Sequence, residues 1–208
     1  MSRLFVAIDF PPEIKLSLSE LCIGVPGARW VAPGNFHLTL RFIGEVDDPT
    51  AAGIAAALQQ VGAPRFWLTL AGVGQFGGHT LWVGVEQNPA LLRLQNAVES
   101  QLREITPSAD ARPYRPHVKL AHSRRRRSFR PFLREHAGFC AGPFEATEFS
   151  LIESHLSKSG AVYEHRADYL LLAGEQPAPL RIGYGESIAA TGRACNGTGE
   201  PASARVPR

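Results

Sequence analysis

The sequence predicts an α+β fold of two pseudo-symmetric lobes, each an antiparallel sheet flanked by helices, with a central cleft between them. Two short segments, 37–42 and 116–121, each combine a histidine with alternating polar and apolar residues, which is the pattern of a strand. After each histidine come a helix, a strand, a turn and a second strand, at nearly equal offsets. This repeated order indicates two lobes of similar build, which would place the two histidine strands on either side of a shared cleft.

Turn residues and hydrophobic periodicity set the bounds of the predicted elements. Proline in the first helical turn opens three helices, at Pro11, Pro49 and Pro89, and Asp47 or Asp48 caps the second of them. The predicted helices are 11–21, 47–61, 89–104 and 129–136. The predicted strands are 3–10, 28–31, 37–42, 66–71, 80–86, 116–121, 144–155 and 162–173, with a glycine-rich turn at 72–78 and a hairpin turn at 157–160.

Composition indicates a globular protein with a proper core, because 44% of the 208 residues are hydrophobic and 20% are charged. We expect one two-lobed domain over 1–174. The segment 175–208 lacks apolar periodicity and is rich in small residues, proline and arginine, which predicts a disordered tail. No segment is long and apolar enough for a signal peptide or a membrane span, and nothing indicates an obligate oligomer, so we expect a monomer.

Cysteine usage bears on the compartment. Cys22, Cys140 and Cys195 are odd in number and show no metal-ligand spacing. This argues for a reducing compartment and against a disulfide framework. Together with the missing signal peptide, it predicts a cytoplasmic protein.

The charge pattern suits an anionic partner. The formal net charge is +3 and the sequence pI is about 9.0. Four consecutive arginines, Arg124 to Arg127, follow the second histidine strand directly. They are either a solvated loop or a cationic rim that attracts a phosphate backbone.

The first histidine strand has two different faces. Alternation puts His37, Thr39 and Arg41 on one side and Leu38, Leu40 and Phe42 on the other, apolar side. We therefore expect Phe42 to be buried and the polar row to form one side of a cleft. Arg41 would either contact phosphate or pair with an acidic residue.

The second histidine strand repeats this pattern, with His117 and Lys119 on the polar face. Two histidines facing one phosphate form a complete acid–base pair near neutral pH, since one takes a proton from water and the other protonates the leaving oxygen. The Thr39 hydroxyl and the Lys119 ammonium can hold the phosphoryl oxygens. This chemistry requires no metal and no cofactor.

These motifs resemble the two signature repeats of the two-histidine phosphoesterase superfamily, and within it the RNA 2′,3′-cyclic phosphodiesterases, historically called 2′-5′ RNA ligases. The resemblance extends over nearly all of the chain before the tail, through 3–9, 29–31, 154–156 and Tyr163. It implies a bilobal α+β fold and metal-free opening of a 2′,3′-cyclic phosphate at an RNA 3′ end, leaving a 2′-phosphate. It further implies that His37 is the general acid at O3′, that His117 is the general base, and that Thr39 binds phosphate.

Lys119 departs from the pattern of the family, which has Thr or Ser at this position. Lys119 either takes over the phosphate contact, swings out and leaves that contact to Arg124 or a water, or blocks the pocket. Its ammonium disfavours a second positive charge on His117, which suits a general base.

Several alternatives remain open at this stage. The partner is an RNA 3′ end or a small cyclic-phosphate nucleotide, and the reaction is either the hydrolysis above, 2′-5′ ligation, or cleavage of 2′-5′ oligonucleotides. A non-catalytic RNA-end binder is the alternative of a different class. Phe36, Tyr114 and Trp30 lie near the motifs and either stack on a terminal base or pack in the core. His122 is expected at the end of the strand or in the core.

Overall fold

The computed structural model describes residues 1–106, 113–157 and 160–173. The strands within this part are β1 (Ser2–Asp9), β2 (Arg29–Trp30), β3 (His37–Val46), β4 (Phe66–Phe76), β5 (Thr80–Val85), β6 (His117–His122), β7 (Cys140–Ala146), β8 (Glu148–Ser157) and β9 (Gly160–Leu170). The helices are α1 (Pro12–Glu20), α2 (Asp48–Leu58), α3 (Pro89–Leu102) and α4 (Arg130–Glu135), and a short 3-10 helix covers Pro33–Asn35. The predicted tail, 175–208, lies outside the described residues.

The strands form two antiparallel sheets, which confirms the predicted α+β class. One sheet has the order β3-β1-β8-β9, and the other has the order β2-β6-β5-β4-β7. Each histidine strand lies beside the strand that precedes it through a helix, as β1–α1–β3 in one sheet and β5–α3–β6 in the other. The sheets do not follow the order of the chain, however. The hairpin β4–β5 joins the sheet of His117, and the hairpin β8–β9 joins the sheet of His37.

One predicted strand, 144–155, is wrong because the chain changes sheet inside it. Ala146 at the end of β7 pairs with Phe66 in the five-stranded sheet. Glu148 at the start of β8 pairs with Leu170 in the four-stranded sheet. Thr147 joins the two strands. Alternation of side chains does not register such a crossing, since both strands carry the same pattern.

The two histidine strands contain equivalent β-bulges. In β3, Val6 lies opposite Arg41 and Ala7 opposite Thr39, so Leu40 is the extra residue. In β6, the extra residue is Leu120, because Trp82 lies opposite Lys119 and Leu81 opposite Ala121. A bulge adds one residue to one strand of a pair and so reverses the facing of every side chain beyond it.

The bulge in β3 overturns the predicted facing of two residues. Arg41 is 6% exposed and points into the protein, whereas Phe42 is 57% exposed. The burial predicted for Phe42 is therefore wrong. In β6 the same reversal buries Ala121 and leaves His122 exposed.

One continuous hydrophobic core serves both sheets. Its members include Leu4 and Val6 from the four-stranded sheet, Leu81 and Val118 from the five-stranded sheet, and Leu94 from α3, all nearly inaccessible to solvent. On the opposite face of the four-stranded sheet, a small cluster forms from Phe5, Ala7 and Ile152, with Tyr163 packed against it. This second face carries His37, as described below.

Two further observations concern the membrane and the cysteines. In the part of the chain that the structure describes, no helix is long and apolar enough to cross a membrane. Cys22 is a free thiol, whereas Cys140 is disulfide-bonded. The expectation of no disulfide is therefore wrong for Cys140, and the cysteines no longer support a reducing compartment.

Candidate active site

The two histidine strands meet where the edges of the two sheets approach each other. Strand β3 lies at the edge of its sheet and contacts β6. The Tyr114 hydroxyl, just before β6, donates a hydrogen bond of 2.9 Å to the carbonyl oxygen of Thr39 in β3. Tyr114 thereby ties the approach to the second motif to the backbone of the first, and burial raises the pKa of its phenol.

The His37 ring is fixed by hydrogen bonds at both nitrogens. Its Nδ1 lies 2.8 Å from the carbonyl oxygen of Asn35, so Nδ1 carries a proton and donates it. In the neutral ring Nε2 then accepts, and the Thr39 hydroxyl lies 3.1 Å from it as the donor. Asn35 is itself anchored, because its side-chain amide donates to the carbonyl oxygen of Ala161 in β9.

The His117 ring is held in the equivalent way. Its Nδ1 lies 2.8 Å from the carbonyl oxygen of Arg115, again two residues before the histidine. Both imidazoles therefore carry a proton on Nδ1 and direct Nε2 away from the backbone. The repeat seen in the sequence extends to the tautomer of each histidine.

Each histidine also lies between two aromatic rings. His37 contacts Phe5 and Tyr163, with ring centroids 4.7 Å and 5.3 Å away. His117 contacts Phe76 at 5.0 Å, with Trp82 at 6.4 Å. The sequence analysis missed all four rings. Alternation in β1 places Phe5 on the face opposite the core, and this is the one signal that could have found it.

A glycine in β4 makes room for the Trp82 indole. A Cβ atom on Gly74, which lies opposite Trp82, would come within 2.1 Å of the indole ring. The Trp82 Nε1 atom is buried and has no hydrogen-bond partner among the described residues. The indole is therefore held flat against the sheet beside His117.

The pKa of His37 is lowered from its ordinary value, chiefly by burial. Repulsion by His117 and Lys119 lowers the pKa further, whereas the hydrogen bond to Asn35 and the carboxylate of Asp9 oppose the shift. His37, His117 and Lys119 are thus close enough to interact electrostatically. An anion in the cleft would counter this repulsion and favour the protonated form of His37.

Thr39, Lys119 and the two imidazoles are the groups that can hold a phosphate here. Lys119 is exposed on the same face as His117 and forms no ion pair with any described residue. No group of three or more His, Cys, Asp or Glu side chains in the described residues is placed to hold a metal ion.

Arg41 pairs with an acidic residue, the second of its two predicted alternatives. Its Nε lies 3.4 Å from the Glu99 carboxylate, and its other nitrogens donate to the carbonyl oxygens of Glu99 and Thr106. The bulge at Leu40 turns the side chain away from His37. The assignment of Arg41 to phosphate binding is therefore corrected.

Arg124 lies at the wrong end of β6 for the contact predicted for it. His117 begins the strand and His122 ends it, so about 17 Å of extended chain separates the two. Arg124 follows His122 and is exposed. A substrate contact by Arg124 at the phosphate held between the histidines is therefore corrected as well.

The remaining predicted residues divide between core and surface. Phe36 is 1% exposed and belongs to the core, and Trp30 packs on Phe132 at 6.0 Å. His122 is at the end of the strand, as predicted, but is exposed rather than in the core. The bulge at Leu120 places it on the same face as Lys119.

Comparison with known proteins identifies the family. The family model of the 2′-5′ RNA ligase superfamily matches residues 10–158. A relative from Archaeoglobus fulgidus, named RNA 2′,3′-cyclic phosphodiesterase, is 32% identical over 171 residues, which is 78% of this chain and 96% of the relative. A relative of the same name from Aeropyrum pernix is 35% identical over 149 residues, 68% of this chain and 84% of the relative.

Solved structures agree with this assignment. The apo form of Escherichia coli LigT is similar with a TM-score of 0.68 and 28% identity, over 82% of this chain and 97% of that chain. LigT complexed with 3′-AMP gives a TM-score of 0.69 and 27% identity, over 82% and 98% of the two chains. The chain therefore belongs to the 2′-5′ RNA ligase superfamily.

Proposed function

We propose that this chain is an RNA 2′,3′-cyclic phosphodiesterase, and that His37 and His117 open the cyclic phosphate to a 2′-phosphomonoester without a metal ion. The observation that carries the proposal is the matched pair of imidazoles. Each donates its Nδ1 proton to a carbonyl oxygen two residues earlier, so each has Nε2 available for substrate. The relatives named RNA 2′,3′-cyclic phosphodiesterase and the 3′-AMP complex of LigT support a nucleotide ligand.

The reaction requires one proton acceptor and one proton donor. His117 Nε2, neutral, accepts a proton from water as the water oxygen attacks phosphorus. The bond from phosphorus to O3′ breaks, and protonated His37 Nε2 gives its proton to O3′. The phosphate stays on O2′, and the two histidines exchange roles for the return to the starting state.

Thr39 couples the protonation of His37 to phosphate binding. While His37 is neutral, the Thr39 hydroxyl is occupied by the bond to Nε2. When His37 is protonated, Nε2 becomes a donor and the hydroxyl hydrogen of Thr39 is released. That hydrogen can then bond a phosphoryl oxygen, while Lys119 neutralises the negative charge.

The substrate also corrects the low proton affinity of His37. A general acid must be protonated, yet burial and the two neighbouring positive charges lower the pKa of His37 in the free protein. A bound cyclic phosphate carries one negative charge and so favours the imidazolium. The acid is therefore charged most readily when the substrate is present.

The pH dependence of kcat/KM tests this account through Lys119. Because the pKa of His37 lies below its ordinary value, kcat/KM should fall as the pH rises through that lowered pKa. Lys119→Thr removes one positive charge, so the pKa of His37 rises and the fall should move to higher pH. Lys119→Arg keeps the charge and should leave the fall in place. Profiles of the threonine and arginine variants that coincide on the alkaline side would contradict the electrostatic link.

The activity itself is tested with an RNA that ends in a 2′,3′-cyclic phosphate, incubated with pure protein and EDTA. We expect turnover and a 2′-phosphate product, identified by its resistance to an enzyme specific for 3′-phosphates. Activity that appears only on adding a divalent metal would rule out the two-histidine mechanism. Tight, salt-sensitive binding without turnover would favour the RNA-end binder, and 2′-5′ linked products in the presence of a 5′-hydroxyl RNA would favour the ligase. A role in RNA processing, a cytoplasmic location and a monomeric state are part of the same proposal.

A further inference from the structure

We propose that the exposed face of β6 and the arginines that follow it bind the sugar-phosphate backbone of the RNA on the 5′ side of the reacting end. The backbone track is defined as Lys119, His122, Arg29 and the arginine run Arg124–Arg127. This inference rests on the proposed function, and it names the preferred substrate as an oligonucleotide several nucleotides long rather than a cyclic mononucleotide.

The bulge at Leu120 aligns the first part of the track. Without the bulge, His122 would face the core with Val118 and Leu120. With it, His122 is exposed on the face that carries His117 and Lys119. The neighbouring strand β2 adds Arg29, which pairs with His122 and is also exposed. A line of positive or polar groups therefore leads from the reacting histidine to the end of the strand.

The arginine run continues from this end and is attached to the fold. The Ser123 amide donates to the carbonyl oxygen of His79 at 2.7 Å, and the Arg127 amide donates to that of Gly78 at 2.9 Å. The Arg127 guanidinium also bonds the Ser123 hydroxyl at 3.2 Å. These contacts pack the run against the β4–β5 turn. A freely solvated loop would not show them.

The packing at Gly78 is close. Its φ is +73°, and a Cβ atom there would lie 2.8 Å from the Arg126 side chain and 3.0 Å from the Arg127 carbonyl oxygen. Glycine thus satisfies both the left-handed turn and the contact with the run. The positions of the arginines follow from the hairpin.

The positive charges of the track are not neutralised by the protein. Among the described residues, Lys15, Arg41 and Arg166 form ion pairs with carboxylates. No described carboxylate pairs with a residue of the track. A concentration of unpaired cations in a chain whose net charge is only +3 indicates an anionic ligand.

A depression of about 510 Å³ marks the far end of the track. It is lined by Gln75, Gly78, Arg126, Arg127, Ser128 and Arg130. Three guanidinium groups with a hydroxyl and an amide side chain supply the donors that phosphate oxygens accept. The lining is therefore suited to one or more phosphates of a chain that continues beyond the cleft.

The length of β6 sets the substrate preference. About 17 Å of strand separates His117 from His122, and the arginines lie further on. A cyclic mononucleotide held at the histidines cannot reach them, whereas an RNA chain can. The track should therefore lower KM for oligonucleotides alone, and the benefit should fall with salt concentration, as for any contact that displaces counterions from RNA.

The test compares kcat/KM for 2′,3′-cyclic AMP with that for an eight-nucleotide RNA ending in the same cyclic phosphate. We expect wild-type protein to favour the octamer. Arg124→Gln with Arg125→Gln should reduce the ratio of octamer to mononucleotide about tenfold and lower the salt slope for the octamer by about 1. Both side chains are exposed and make no hydrogen bond or ion pair within the described residues, so the substitutions should not disturb folding.

A matched control separates the track from general charge effects. Arg93→Gln with Arg103→Gln removes the same charge from the surface of α3 and should leave the ratio unchanged. An equal ratio in wild type and in the Arg124/Arg125 variant, or an equal loss in the α3 control, would overturn the track. Failure to hydrolyse either substrate would instead overturn the proposed function, so the two failures are distinct.

Discussion

Replacing His117 by asparagine is expected to lower kcat/KM for an RNA 2′,3′-cyclic phosphate by about 10³- to 10⁴-fold. Asparagine can still reach the Arg115 carbonyl through its amide, but it cannot accept a proton from water near neutral pH. The loss should lie mainly in kcat, because a proton acceptor acts in the transition state rather than in binding. Steady-state kinetics with the RNA substrate and a fluorescent product assay would measure it.

The controls for this prediction use the other histidines. His37→Asn should cause a loss of similar size, and the double variant should be little worse than either single variant, since the pair acts as a unit. His136→Asn, at the end of α4, should change kcat/KM less than about threefold. Thermal unfolding establishes that each variant is folded. Retention of more than a tenth of the activity in His117→Asn would remove that residue from the mechanism.

Replacing Arg41 by leucine is expected to lower the free energy of unfolding by about 3 kcal/mol. The change leaves the Glu99 carboxylate without its partner and deprives the carbonyl oxygens of Glu99 and Thr106 of their donor. Breaking a buried pair from one side costs about 3–5 kcal/mol, and the lower end applies because the Glu99 side chain is 22% exposed. Urea unfolding followed by circular dichroism measures the loss.

Arg41→Lys separates charge from geometry. Lysine keeps the positive charge but cannot serve a carboxylate and two carbonyl groups at once, so an intermediate loss is expected. Activity distinguishes the structural role from the discarded one, because the folded leucine variant should retain kcat/KM within about threefold. A large loss of activity without a loss of stability would return Arg41 to the substrate-binding site.

The sequence predicts the site best where local pattern decides the outcome. Alternation placed His37 and Thr39 on one face, and the Pro and Asp residues at helix starts located the helices; Asp47 indeed caps α2, accepting from the Thr50 amide. The pairing of two histidines across a cleft followed from their repeated context. These features depend on residues that are neighbours in the chain.

The failures arise where a partner strand decides. A bulge at Leu40 depends on how β3 aligns with β1, and nothing in the leucine itself marks it as the extra residue. The fates of Arg41, Phe42 and His122 all follow from such bulges. The aromatic rings beside the histidines were missed for a related reason, since Phe5 and Tyr163 meet His37 only after three separate strands have assembled.

The placement of β8 and β9 beside β1 has a consequence for the growing chain. The first strand to leave the ribosome acquires its second neighbour only when nearly the whole domain has been made. Until then the edge of β1 is unpaired, and the His37 ring lacks both the Tyr163 ring and the Ala161 carbonyl that anchors Asn35. The half of the catalytic pair encoded first is therefore completed last, and a nascent chain that ends before β8 should carry a second histidine motif but no finished cleft.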